Sequence, residues 1–134
     1  MITIDQSIPK MTGSSGETLT IREMGSSFAI AYYLAGANEM SGVVQFDDLR
    51  GWSYGYPNDE GLDAHPLYGL GLELYQFHVT PLAGHGERCW IATFHDGTLT
   101  VYAGAAHVLA KDYPGSPGDA MESIYGQGES RVLQ

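Results

Sequence analysis

The sequence is short of positive charge, almost without cysteine and without a long apolar run. Lys and Arg number 6 against 16 Asp and Glu, with 5 His, so 134 residues carry a formal net charge of −10. A chain with so few cations has little with which to neutralise phosphate, and nucleic acid is not an expected partner. No stretch approaches the roughly 20 apolar residues of a spanning helix, so a membrane partner is not expected either. Cys89 is the single cysteine, which excludes an intrachain disulfide and a cysteine-rich structural zinc site. In Arg88-Cys89-Trp90-Ile91 it reads as part of a strand, where a thiol serves as a small buried side chain rather than a nucleophile. The opening Met-Ile-Thr-Ile-Asp lacks a basic region followed by an apolar run, so the expected compartment is the cytoplasm. The 18 Gly follow no triplet period, which excludes collagen.

What is present suffices for a folded domain. Apolar residues make up 43% of the chain, more than a disordered segment carries, and the length allows a core without a covalent or metal staple. A single domain over 1–134 is expected, with the apolar-poor stretch 127–134 free to fray. Gly and Pro punctuate the chain throughout, which favours many short elements. Residues 17–24 alternate, with Leu19 and Ile21 on one face and Thr18, Thr20 and Arg22 on the other, as a half-buried strand does. Phe28–Leu34 suits a strand, although Ala29, Ala31 and Ala35 leave a helix open. Strands also begin at Val43, Trp52 and Gly71, the last running to Val79. Residues 105–110 read as strand or short helix.

The clearest local pattern is Trp90-Ile91-Ala92-Thr93-Phe94-His95 and Thr98-Leu99-Thr100-Val101-Tyr102 around Asp96-Gly97. Asp-Gly suits a type I′ turn with positive φ at both positions. That register sets His95 opposite Thr98 and Phe94 opposite Leu99. Trp90, Ala92, Phe94, Leu99 and Val101 then share an apolar face, and the mixed opposite face is expected to be more exposed. Downstream, Ser116 has the character of an N-cap, Pro117 of a first helical residue and Gly126 of a stop, so 119–125 is expected to be helical. The sum is a mainly β, β-rich α+β domain. Its antiparallel sheet is rolled or sandwiched, with about seven strands and one or two short helices.

The candidate functional segment is 52–68. Trp52, Tyr54 and Tyr56 alternate onto one face of a strand that enters a turn holding Asn58, Asp59, Glu60, Asp63, His65 and Tyr68. An outward loop rich in aromatics and carboxylates suits a binding surface. Asp59, Glu60, Asp63 and His65 have the donor chemistry of a metal site, but their spacing matches no calcium loop. A solvated turn, with Asn58 and Asp59 bonding their own backbone, accounts for the same residues. His78, His85, His95 and His107 lack tight ligand spacing, so no metal ligand set and no cofactor is assigned. Gly69-Leu70-Gly71 and Gly84-His85-Gly86 are too short for phosphate loops, and Ser14-Ser15-Gly16 lacks a nucleophile-elbow context.

The strings Tyr54-Gly55-Tyr56-Pro57-Asn58-Asp59-Glu60-Gly61, His65-Pro66-Leu67-Tyr68, Gly71-Leu72 and Tyr75 together resemble a signature of small uncharacterised bacterial proteins. Phe94-His95-Asp96 is similar to a turn in the same group. The resemblance spans about a third of the chain and implies no activity, cofactor or catalytic residue.

Two functional expectations follow. The first is a non-catalytic module, inhibitor- or immunity-like, that uses its acidic and aromatic turn against a basic protein partner. The second is a small metal- or ligand-binding enzyme with His65, His78 or His95 as base or ligand beside Asp59, Glu60 or Asp63. A hairpin edge that pairs across a two-fold axis would make a homo-oligomer of either.

Overall fold

The structure, a computed structural model, describes residues 2–13, 19–36, 39–82 and 86–133. Glu17 and Thr18 of the first expected strand, the Ser14–Gly16 segment and His85 lie outside the described residues. Within them the strands are β1 (Thr3–Ile4), β2 (Leu19–Met24), β3 (Ser27–Tyr33), β4 (Met40–Asp47), β5 (Gly51–Gly55), β6 (Phe77–Pro81), β7 (Arg88–Thr93), β8 (Thr98–Ala103), β9 (Ala105–Pro114) and β10 (Arg131–Leu133). A 3-10 helix, Asp59–Ala64, follows β5, and helix α1, Pro117–Tyr125, precedes β10. The strands form two antiparallel five-stranded sheets, ordered β1-β6-β7-β8-β5 and β10-β2-β3-β4-β9, and neither closes. The β-rich sandwich class expected from the sequence is the observed one. Ten described strands replace the expected seven, because β9 takes up the segment left open at 105–110, and β1 and β10, with 2 and 3 residues, are too short to display a period.

The sheets pack face to face through large side chains from alternate positions. Phe28, Ile30, Tyr32, Val44 and Phe46 meet Phe77, Trp90, Ala92, Phe94, Leu99 and Val101 in one cluster. Phe46 sits edge-on to Trp90 at 5.3 Å between centroids, and Tyr32 to Phe94 at 6.0 Å. Removing each such side chain from water contributes roughly 2–3 kcal/mol. The two polar tips buried here are bonded: the Tyr32 hydroxyl donates to the Pro9 carbonyl at 2.7 Å, and Trp90 Nε1 to Asp5 Oδ2 at 3.0 Å.

Ala29, Ala31 and Val43 lie on the opposite face of their sheet, under Ala120 and Met121 of α1. This resolves the ambiguity of 28–35: the alanines are strand residues whose small size admits a helix against the sheet. Residues 105–110 are likewise strand, part of β9. Helix α1 begins as its sequence specifies. Ser116 accepts from the Asp119 amide at 3.1 Å, and Pro117 is the first helical residue. Residues 131–133, expected to fray, pair with β2 instead. Among the described residues no helix is long and apolar enough to cross a membrane.

The β7–β8 hairpin corrects the expected register. Thr93 opposes Thr98, Ala92 opposes Leu99 and Trp90 opposes Val101. The turn residues are His95 and Asp96, closed by a Phe94 amide to Gly97 carbonyl bond of 2.8 Å, and neither Asp96 nor Gly97 has positive φ. A slip of two residues preserves side-chain parity, so the apolar face survives unchanged. The cause lies at Gly97. A Cβ there would come within 2.8 Å of the Tyr54 ring and 3.0 Å of the Gly55 carbonyl oxygen, so Tyr54 occupies the place of a side chain opposite Phe94. The other face is more exposed at Tyr102, as expected, but much of it is covered. Cys89 and Ile91 pack with Leu62 and Leu72 from the segment between β5 and β6, and Thr93 and Thr98 are also buried. The strand expected at 71–79 is consequently shorter. Positive φ at Gly71 and Tyr75 breaks the extended chain, and β6 begins only at Phe77.

Gly97→Ala is expected to lower the unfolding free energy by about 1–3 kcal/mol, since the Gly55 backbone cannot swing aside as a side chain would. Ser116→Ala is expected to lower it by about 1 kcal/mol through the lost cap. Urea denaturation measures both, and a neutral Gly97→Ala would contradict the tight contact.

Candidate functional site

Residues 56–74 form a cover over the outer face of the first sheet. They are fixed from beneath at several polar points, and the first lies where β5 ends. The Thr98 hydroxyl donates to the Pro57 carbonyl at 2.6 Å, so the proton of the 2.9 Å Thr93–Thr98 contact comes from Thr93. Asn58 then caps the 3-10 helix by accepting from the Gly61 amide at 3.0 Å. The sequence reading of Asn58 as a residue bonding its own backbone is therefore correct.

Asp59 does something different. Its Oδ2 accepts from the Tyr75 hydroxyl at 2.5 Å and faces His95 Nδ1 at 3.0 Å. Its side chain is only 10% exposed, against 31% for His95. Burial alone would raise its carboxyl pKa. The hydrogen bonds from Tyr75 and His95 and the His95 charge outweigh this and hold it below the ordinary value. The group is thus a carboxylate and accepts only, so the His95 proton on this side sits on Nδ1. His95 Nε2 lies 3.9 Å from Asp96 Oδ1.

Two other described histidines take backbone amides of the cover. Fully buried His78 accepts the Glu73 amide on Nε2 at 3.0 Å, and desolvation lowers its pKa. It anchors the far end of the cover. His65 Nδ1 accepts from the Leu67 amide at 3.0 Å, and burial lowers its pKa also. Both are neutral imidazoles whose acceptor nitrogen takes a backbone amide. His107 lies on the second sheet, 3.1 Å from Asp47. Among the described residues no group of three or more His, Cys, Asp or Glu could hold a metal ion.

The expected aromatic stripe divides. Trp52 stacks on Phe28 at 4.8 Å, donates from Nε1 to Glu23 at 3.1 Å, and lies beneath the Arg131 guanidinium at 5.6 Å. It joins the two sheets. Tyr54 packs on the core beside Gly97. Only Tyr56 points outward, at 79% exposure. Tyr68 is 55% exposed, and Glu60 and Asp63 are exposed as well. The structure therefore brings Asp59 and His95 together, sets Tyr56, Glu60, Asp63 and Tyr68 on the outer surface of the cover, and assigns Trp52, Tyr54, Asn58 and His65 to support.

Sequence reasoning missed Tyr75, which it placed in a strand, and Leu70, which is 63% exposed. A large apolar residue between Gly69 and Gly71, both at positive φ, was the signal for an outward turn.

The Asp59 carboxyl titrates below its ordinary value of 3.8 in the folded state, so its contribution is complete above that pH and is lost as pH falls beneath it. Asp59→Asn is expected to reduce stability by roughly 1.5–3 kcal/mol near neutrality, the range for bonds to a charged group. The gap from wild type should narrow toward pH 3. Urea unfolding across pH tests this, and a gap independent of pH would contradict the ionised joint. No family model, curated protein or solved structure matches the chain.

Proposed function

We propose that the protein is a non-catalytic binding module, inhibitor- or immunity-like, whose contact face is the outer surface of the cover and whose partner is a basic protein. The observation that carries the reading is the outward presentation of Tyr56, Tyr68 and Leu70, at 79%, 55% and 63% exposure, on a segment anchored by its polar groups inside. Folding usually buries such side chains, and their fixed display is what an interface needs. The charge around them supports a basic partner. Residues 51–87 contain no Lys or Arg, and Glu60, Asp63 and Glu73 among them are exposed. A one-signed field of this kind steers an oppositely charged protein and repels nucleic acid. The strings that resemble small bacterial proteins fall on the cover and on the hairpin tip that anchors it. A cytoplasmic setting belongs to the same reading.

A second reading, a small enzyme, draws on the 3.0 Å Asp59–His95 pair, because a carboxylate behind an imidazole can orient a general base. Tyr75 on the same oxygen makes the pair a joint between segments, and the first reading requires no reacting group.

The test is affinity capture from native lysate at low salt, with wild type beside Tyr56→Ala/Tyr68→Ala. Wild type is expected to retain one stoichiometric basic protein that high salt elutes, and the double variant to bind it at least about 30-fold more weakly, as loss of hot-spot aromatics implies. Absence of a stoichiometric partner, or equal retention by both, would overturn the proposal.

A further inference from the structure

We infer that the cavity beside Leu70 is the anchor pocket of this contact face, and that it accepts a large aliphatic or aromatic side chain carried on a cationic segment of the partner protein. The inference rests on the reading of the cover as a protein contact. The cavity encloses about 650 Å³ and is lined by Ile2, Leu67, Gly69, Leu70 and Thr80. That volume lies within the range of pockets that bury a ligand group, and the lining is mainly apolar.

Its floor and its wall differ in a way that suits an anchor. Leu67 packs down on the cluster of Leu62, Leu72, Cys89 and Ile91, so the floor is fixed to the sheet. Leu70 is the exposed wall. The loop between is held by its own turns: the Tyr68 amide donates to the His65 carbonyl, and the Leu70 amide to the Leu67 carbonyl, each at 3.0 Å. An entering side chain meets a surface already shaped for it, and less ordering entropy opposes binding.

The surroundings select the carrier of that side chain. Exposed Glu60, Asp63 and Glu73 lie on the same segment, and no Lys or Arg occurs between 51 and 87. Anionic membrane headgroups, nucleic acid and apolar acids are repelled by such an acidic segment. A second copy is repelled as well, since each chain carries −10. Lys or Arg residues flanking one apolar anchor satisfy both the cavity and the acidic segment that carries it.

The test uses the full chain and three synthetic peptides: Phe flanked by Lys, the same peptide with Phe→Ala, and Phe flanked by Glu. Calorimetry gives affinities, and amide shifts locate the contact. The Lys-flanked Phe peptide is expected to bind at least about tenfold more tightly than either control. Its shifts should centre on 67–70, and Leu70→Ser should weaken it by a similar factor. Leu70 is exposed, so that variant is expected to fold. Affinity lost in Tyr56→Ala but kept in Leu70→Ser would overturn the pocket and leave the contact face standing. Binding unchanged in both variants, or no preference for the Lys-flanked Phe peptide, would overturn the pocket and count against the face. Equal binding of free apolar molecules and the peptide would show a small-molecule pocket and overturn the assignment to a cationic segment.

Discussion

One carboxylate oxygen holds the outer surface of this protein in register with its interior. Asp59 Oδ2 is shared by Tyr75, 16 residues later, and His95, 36 residues later, so a single atom ties the start of the cover, its end and the β7–β8 hairpin tip. Charge-assisted hydrogen bonds are about twice as strong as neutral ones, and here they act where the side chain is nearly out of water. The cover lacks a sheet ladder of its own. Its geometry is therefore the geometry of these few bonds, with the Thr98–Pro57 and His78–Glu73 bonds placed at its two ends.

The molecule is layered as helix, sheet, sheet and cover, and the layers are unequal. The central layer collects aromatic side chains from both sheets, the helix contact uses alanine and methionine, and the cover contact uses Leu62, Leu72, Cys89 and Ile91. Most of the hydrophobic stabilisation belongs to the centre. The cover depends more on polar fixing, in which Asp59 and Asn58 turn inward while Glu60, Asp63, Glu73 and the tyrosines Tyr56 and Tyr68 turn out.

The parts of this arrangement legible in the sequence are those set by period and by local chemistry. The face of Trp90, Ala92, Phe94, Leu99 and Val101 follows from alternation, and the ends of α1 follow from Ser116, Pro117 and Gly126. The hairpin register was not legible, because Gly97 serves the ring of Tyr54, a residue over 40 positions away, and not a left-handed turn. The role of Asp59 was hidden for the same reason. Asn58 finds its partner three residues on and could be read, whereas both partners of Asp59 lie on other elements. Trp52 looked like a binding aromatic because strand alternation reports a shared face without reporting what covers it.

The lone thiol gains a meaning from its place in this layering. Cys89 lies in the thin apolar layer beneath the cover, and burial pushes its pKa up, so it is both shielded and weakly nucleophilic while the cover is seated. Any excursion that lifts the cover while the sandwich stays intact would expose it. The protein thus carries its own chemical gauge of local opening, in which the rate of thiol labelling tracks the movement of one layer independently of global unfolding.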